Sequence, residues 1–317
     1  MPTQPFKKLL SRDLALANAK PLIDLVCPTL IEAINYSTQA LQRCQTSKVA
    51  RLGEPDEHFP LLSLFLQTIE FADGIQVQLD MSCVTSSIPL LRSMFEADLA
   101  VNYLLEKDYQ DRAYSWVVAY IHRKLAWHDR FDVNTSRGKQ FQTALNDDVT
   151  SKYFNVPPIP KSFINEGQNL RNLLNSEPYA TINKEYLLLK DKFHREPNWY
   201  SLFSGPSSEH DLALKLNKGG QYEILYRYWS ETAHANVGRL LGGSKNGQAM
   251  ISSLRSANEF VAVGNMAISL LLDVINKTEQ KLSPGDTVNR VSWFTTEVQP
   301  ARKRIRNTKI VINEAEI

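Results

Sequence analysis

Apolar residues recur every three to four positions along most of the chain, which is the spacing of helices that bury one face. The alternation typical of strands is nearly absent, and only Ile310–Asn313 is a weak candidate. The predicted helices span residues 5–20, 21–46, 61–81, 86–106, 110–131, 137–151, 161–175, 180–194, 209–217, 222–234 and 258–279. The pattern predicts an all-α protein, an antiparallel helical bundle with little or no sheet, built as one bundle or as two packed sub-bundles.

Proline and glycine mark the predicted boundaries. Pro21 is expected to open the second helix, and Asp73-Gly74 is expected to disturb the helix over residues 61–81. Val156–Pro160 contains three prolines and predicts an extended connector. We interpret residues 1–317 as one helical domain with a candidate sub-division near residues 152–160 and a basic tail over residues 301–317.

Composition favours a globular protein of the cytoplasm. Hydrophobic residues make up 43% and charged residues 22%, and the net charge of +2 excludes a strongly basic nucleic-acid coat protein. Arg12 and Asp13 interrupt any apolar core of a signal peptide, and Asn265 interrupts the longest apolar run, so neither export nor a membrane span is predicted. Three widely spaced cysteines favour a reducing compartment over a disulfide framework.

The segment Tyr222–His234 carries the densest set of chemically useful side chains. At about 100° per residue, one face of this predicted helix is apolar. The opposite face carries Glu223, Arg227, Ser230, Glu231 and His234. A guanidinium and an imidazole on one wall can bind a phosphate and move a proton. The alternative is a hydrated face on which Glu223 and Arg227 form an i,i+4 ion pair.

A second polar set lies on the predicted helix over residues 86–106, which Ser86 or Ser87 is expected to cap. Arg92 and Glu96 are i,i+4 neighbours, and Asp98 and Asn102 point into the apolar face. Because buried charge is costly unless it is paired, we expect Asp98 and Asn102 to have partners. Arg92 and Glu96 either form an ion pair that fixes helix packing or help to line a polar cavity.

Other polar residues suggest surfaces rather than chemistry. His122 precedes Arg123-Lys124, which favours a solvated helix edge over a metal ligand, and no metal site or cofactor is predicted. The dense basic cluster near the end of the chain is either a solvated terminus or a contact for nucleic acid or an acidic partner. Its members are Arg302, Lys303, Arg304 and Arg306.

Three segments together resemble a bacterial family of all-helical proteins of unknown function. They are Leu91–Ala97 with Arg-x3-Glu, Pro197–Trp199 with a loop tryptophan, and Tyr226–His234 with Tyr-x3-Ser-x3-His. The resemblance covers roughly residues 60–275. It implies the fold and supplies no activity.

Arg227 and His234, with six residues between them, also resemble the motif of the HEPN superfamily, many of whose members are metal-independent ribonucleases in toxin and antiphage systems. The resemblance implies that His234 acts as general acid or base on the ribose 2′-hydroxyl and that Arg227 holds the scissile phosphate. Such sites are commonly built across a dimer, which implies a homo-oligomer. Tyr228 departs from the pattern, because a small polar residue often follows the arginine.

Three hypotheses follow. The first is a HEPN-like endoribonuclease, a toxin or antiphage effector acting on RNA with Arg227 and His234, supported by Tyr226, Ser230 and Glu231. The second is a non-catalytic scaffold or interaction protein with a partner protein, in which the Arg92/Glu96 pair and the Tyr226/Ser230/His234 set form an internal network. The third is a protein that binds a small phosphorylated or nucleotide ligand where Arg92, Arg227 and His234 converge.

Overall fold

The computed structural model describes residues 12–52, 57–153, 161–229, 242–245, 248–251, 255 and 257–307, and the all-α prediction is confirmed for them. The contacts divide the chain into two compact units. The first contains Met1–Lys107 and Leu212–Ile317, and the second contains Asp108–Asp211. The predicted sub-division near residues 152–160 falls within the second unit, and residues 154–160 lie outside the described residues.

The helices follow in chain order. The chain begins with α1 Arg12–Thr46, α2 Lys48–Leu52, α3 Phe59–Asp80 and α4 Val84–Glu106. It continues with α5 Tyr109–Phe131, α6 Ser136–Asp147, a 3-10 turn Ser151–Tyr153, α7 Lys161–Leu174, α8 Tyr179–Phe193 and a 3-10 segment Trp199–Ser204. It ends with α9 Glu209–Lys215, α10 Gly219–Tyr222, a π-helix Glu223–Tyr228, the antiparallel strands β1 Gly242–Lys245 and β2 Gln248–Ile251, α11 Phe260–Leu282, a 3-10 turn Pro284–Asp286, α12 Thr287–Trp293, a π-helix Phe294–Val298 and α13 Gln299–Asn307.

The core of the first unit lies among the long helices α1, α3, α4 and α11, of which α3 and α11 each pack against the other three. Leu30, Phe65, Phe95 and Phe260 are among its fully buried side chains. Gly264 on α11 faces the side chain of Val26 on α1 so closely that a Cβ atom would collide with it. A glycine at this crossing therefore allows the two helices to approach each other.

The predicted helix boundary at Pro21 is wrong, because α1 runs through both Pro21 and Pro28. Each proline removes the N–H that would bond to the carbonyl four residues earlier. Buried residues continue on both sides of the prolines, including Ala19, Leu22 and Val26. Burial of this continuous apolar face offsets the two lost hydrogen bonds, so the helix persists.

The predicted disturbance at Asp73-Gly74 is also wrong, because α3 is continuous from Phe59 to Asp80. A Cβ atom on Gly74 would lie 3.0 Å from Leu90 Cδ1 on α4. The glycine makes room for the neighbouring helix, and tertiary packing outweighs its low helix propensity.

The serine caps predicted for α4 are wrong as well. The helix begins at Val84, before both serines. Ser86 Oγ donates to the Cys83 carbonyl at 2.9 Å, and Ser87 Oγ donates to the Val84 carbonyl at 2.6 Å. Both hydroxyls therefore bond backward along the chain instead of accepting from the free N–H groups of the first turn.

In the second unit, α5 packs against α6, α7, α8 and the 3-10 segment. His122 on α5 is not at a solvated edge, which corrects the prediction. Its ring stacks on Tyr186 with the centroids 4.0 Å apart, and its Nε2 lies 2.7 Å from Asn183 Oδ1. Burial lowers the pKa of His122, so the structure favours its neutral form.

Two helices, Arg12–Thr46 and Phe260–Leu282, have the length and apolar composition of a membrane span. The same properties are found in core helices of proteins that cross no membrane. Of the most apolar window in each helix, 33% and 50% is buried in the fold, respectively.

Candidate functional site

The segment that begins at Tyr222 is helical as predicted, but its first part has a different period. Glu223–Tyr228 forms a π-helix, in which hydrogen bonds join residues five apart and each turn holds more residues than in an α-helix. Tyr222, Leu225 and Trp229 are buried, which confirms the apolar face for these residues. Ser230, Glu231 and His234 lie outside the described residues, so their alignment with Arg227 stays a prediction.

Arg227 faces solvent. Its side chain is 59% exposed, and its Nη1 donates to a carboxylate oxygen of Glu223 at 3.3 Å. The guanidinium carbon lies 5.8 Å from the centre of the Tyr222 ring. The predicted i,i+4 pair is therefore present, and an exposed pair of this kind contributes little to stability.

Arg92 joins the two polar stretches that the sequence singled out. Its Nε donates to Glu96 Oε1 at 3.1 Å within α4. Its guanidinium carbon lies 3.8 Å from the centre of the Tyr226 ring on the π-helix, and Tyr226 in turn stacks on Tyr222 with the centroids 4.7 Å apart. The Arg-x3-Glu motif thus contacts the first residue of the Tyr-x3-Ser-x3-His motif. We name Arg92, Glu96 and Tyr226 the arginine–tyrosine site.

Arg92→Ala is expected to lower the free energy of unfolding by about 1 kcal/mol, because a largely buried guanidinium loses its contact with an aromatic face. Urea unfolding of the purified protein measures this change. Arg123→Ala, at an exposed position of α5, is the matched control and should leave the unfolding midpoint unchanged. Equal effects of the two substitutions would contradict the structural role of Arg92.

A buried polar cluster lies further along α4. Lys218 Nζ contacts Asp98 Oδ2 at 2.6 Å and Asp273 Oδ2 at 2.7 Å, and Asn102 Nδ2 donates to Asp273 Oδ2 at 3.0 Å. The Asp98 side chain is completely buried, and that of Lys218 is 14% exposed. The prediction that Asp98 and Asn102 have partners is confirmed. Lys218 was not predicted, because Lys218-Gly-Gly has the sequence of a helix end.

The pKa values of the two carboxyl groups in this cluster shift in opposite directions. Burial raises the pKa of Asp98 to about 7, with Lys218 opposing the shift and Asp273 adding to it. Although burial opposes it, the hydrogen bond from Lys218 lowers the pKa of Asp273. Burial also opposes the shift at Lys218, yet the two carboxyl groups raise the pKa of its ammonium group. A proton taken up by the cluster therefore goes to Asp98.

A second buried network was not predicted and centres on Glu279 of α11, whose side chain is completely buried. Arg43 Nη2 donates to Glu279 Oε1 at 2.7 Å, and Arg290 Nη1 donates to Glu279 Oε2 at 3.2 Å. Tyr36 Oη donates to the same Oε2 at 3.3 Å, and burial together with this carboxylate raises the pKa of Tyr36 to about 12. Two cations and a hydroxyl thus satisfy one buried carboxylate.

The basic cluster of residues 302–306 forms most of α13. Ala301 and Ile305 are buried, whereas Lys303, Arg304 and Arg306 are exposed. Arg302 is half-buried, and its Nη2 donates to Ser269 Oγ on α11 at 2.6 Å. Three of the four predicted nucleic-acid contacts therefore lie at the surface. Arg302 instead links α13 to α11 through its hydrogen bond to Ser269.

In the part of the chain that the structure describes, no three or more His, Cys, Asp and Glu side chains are grouped as metal ligands are. The polar residues around Arg92, Lys218 and Glu279 are instead held by hydrogen bonds and ion pairs.

The family comparison agrees with the motifs that meet at the arginine–tyrosine site. The model of DUF5677, a family of unknown function, matches residues 58–249, which include both motifs. No match was found among curated proteins or among solved structures. Because the match spans more than half of the chain, the predicted resemblance to a helical family of unknown function is confirmed, and the protein belongs to the DUF5677 family.

Proposed function

We propose that the protein is a HEPN-like, metal-independent endoribonuclease that serves as a toxin or antiphage effector, with Arg227 and His234 as its catalytic residues. One observation carries the proposal. Arg92 contacts Tyr226, and this contact joins the Arg-x3-Glu motif to the π-helix that precedes Ser230 and His234 in the sequence. Arg227, whose side chain is exposed, directly follows Tyr226 in the sequence.

The proposed reaction is an intramolecular transesterification. His234 takes the proton of a ribose 2′-hydroxyl as the 2′ oxygen forms a bond to the adjacent phosphorus. The bond from phosphorus to the 5′ oxygen breaks, the leaving oxygen takes up a proton from solvent, and His234 then releases its proton to solvent. The products are a 2′,3′-cyclic phosphate and a 5′-hydroxyl. Arg227 stabilises the charge that develops on the non-bridging phosphate oxygens.

The remaining polar residues have supporting roles in this proposal. Arg92 and Glu96 hold Tyr226, while Ser230 and Glu231 follow Tyr226 on the way to His234. Exposed Lys303, Arg304 and Arg306 attract the RNA backbone. A second copy of the chain completes the site, as the resemblance implies.

The test is incubation of the purified protein with total RNA in excess EDTA. Wild-type protein is expected to cleave RNA, and His234→Asn should slow cleavage by about 10²–10⁴-fold because the proton-transfer group is lost. His194→Asn is the matched control: His194 is an exposed histidine with a left-handed backbone, which asparagine tolerates. Absence of cleavage by the wild type, or equal cleavage by His234→Asn, would contradict the proposal.

A helical interaction protein is the second candidate, favoured by the mutual pairing of the described side chains. Arg92 is bonded to Glu96, and Arg227 is bonded to Glu223. A satisfied network of this type can specify helix packing without chemistry. This candidate predicts that Arg92→Ala lowers stability while total RNA stays intact with every variant and with the wild type.

A further inference from the structure

Two rows of polar residues, here called ladders, lie on the packed helices α4 and α11 of the first unit. On α4 the ladder consists of Asp98, Asn102 and Glu106, and on α11 it consists of Asp273, Lys277 and Lys281. Members of each ladder are four residues apart and therefore share one face of their helix. The hydrogen bond from Asn102 to Asp273 joins the ladders at one end.

Beyond this hydrogen bond lies a cleft of two adjoining hollows, with volumes of about 480 Å³ and 390 Å³. Both are lined by Asn102, Leu216, Asn217 and Lys277. Helices α4 and α11 form two walls of the cleft, and the turn between α9 and α10 forms the third. Asn217, which has a left-handed φ of 57°, lies at this turn. The cleft is large enough for a small organic ligand.

The lining of the cleft is cationic. Its lysines are Lys215, Lys218, Lys277 and Lys281, and its carboxylates are Glu106 and Asp273. Lys218 is neutralised by its aspartates, and Lys215 lies 3.9 Å from Glu106. Lys277 forms no ion pair with any residue that the structure describes. The uncompensated charge of Lys277 favours an anion in the cleft.

Gln221 adds a second requirement. It lines the smaller hollow, and its side-chain oxygen is buried without a hydrogen bond from the described part of the chain. A buried acceptor that is left unsatisfied is costly, so a ligand that donates a hydrogen bond is favoured here. Lys277 borders the same hollow and can bind a phosphate at the same time.

We propose that the cleft between α4, the α9–α10 turn and α11 binds a small phosphate ester that carries hydroxyl groups. Lys277 contacts the phosphate, and Gln221 accepts a hydrogen bond from a ligand hydroxyl. None of the residues of the arginine–tyrosine site lines this cleft.

Calorimetric titration of the full chain with ribose 5-phosphate and adenosine 5′-monophosphate tests the proposal. At least one of the two should bind, whereas ribose and adenosine, which lack the phosphate, should not. Inorganic phosphate, which provides no ribose hydroxyl, should bind about tenfold more weakly than the better ester. Failure of both esters to bind at millimolar concentration, or binding of single-stranded RNA alone, would overturn the proposal.

Variants locate the bound ester. Lys277→Gln and Gln221→Leu should each weaken its binding by about tenfold. Lys139→Gln on α6 makes the same charge change at an exposed position of the second unit and should leave affinity unchanged. If Lys277→Gln fails to fold, Lys277→Met replaces it with the same expected loss. Unchanged binding in the cleft variants would place the ligand elsewhere and overturn the proposal.

Discussion

Glu279→Ala is expected to lower the free energy of unfolding by about 3–5 kcal/mol. The side chain is completely buried and accepts hydrogen bonds from Arg43, Arg290 and Tyr36. Without it, the mostly buried Arg290 retains its charge and loses its carboxylate partner. Removing one partner of a buried ion pair leaves a desolvated charge, which accounts for the size of the effect.

Urea unfolding of the wild type and of Glu279→Ala measures this loss, with Glu297→Ala as the matched control. Glu297 is exposed, so the same change of residue should leave the unfolding midpoint in place. Trp293 reports the local change by fluorescence, because its ring stacks on Tyr36 with the centroids 3.8 Å apart. A loss at Glu279 as small as that at Glu297 would show that the arginine–carboxylate network contributes nothing to stability.

Lys218→Met is expected to destabilise the protein by a similar amount, about 3–5 kcal/mol at pH 8.5, because Asp98 and Asp273 are then left without their shared cation. The loss should be smaller at pH 5.5. Burial raises the pKa of Asp98 in the folded wild type to about 7, so its stabilising contribution is present at low pH and is lost as the pH rises through 7. Without Lys218, deprotonation of Asp98 lowers the stability of the folded protein still further.

A double-mutant cycle isolates this interaction. Asp98→Asn in the Lys218→Met background removes one of the two stranded carboxylates and should restore about 2 kcal/mol at pH 8.5. It should also remove most of the difference between pH 5.5 and pH 8.5. Lys139→Met, at an exposed lysine, should have no measurable effect at either pH. A pH-independent loss for Lys218→Met would contradict the assignment of the titrating proton to Asp98.

The polar cluster around Asp98 shows which of its members the sequence could predict and which it could not. Helical spacing placed Asp98 and Asn102 on a buried face, and the cost of burying charge required partners for them. The partner Lys218 lies 120 residues away from Asp98 along the chain, next to two glycines that only suggested a helix end. Periodicity describes one helix at a time, so it predicted that the two residues have partners without identifying Lys218.

The Glu279 network escaped prediction for the same reason. Glu279 follows a long apolar stretch of α11, where a charged residue resembles an ordinary helix end, and its partners come from α1 and α12. The predicted boundary at Pro21 and the predicted disturbance at Gly74 are wrong because packing between helices outweighed local propensity. The π-helix over Glu223–Tyr228 likewise departs from the period of 3.6 residues on which the predicted Arg227 stripe depended.

A DNA oligonucleotide with one internal ribonucleotide tests most directly the proposed ribonuclease chemistry at Arg227 and His234. In EDTA, the protein is expected to cut this strand after the ribonucleotide and leave a 2′,3′-cyclic phosphate, with the cut lost in His234→Asn and in a strand that carries a 2′-O-methyl group. A strand that stays intact, or one that is cut equally with and without the 2′-hydroxyl, would contradict the proposed function.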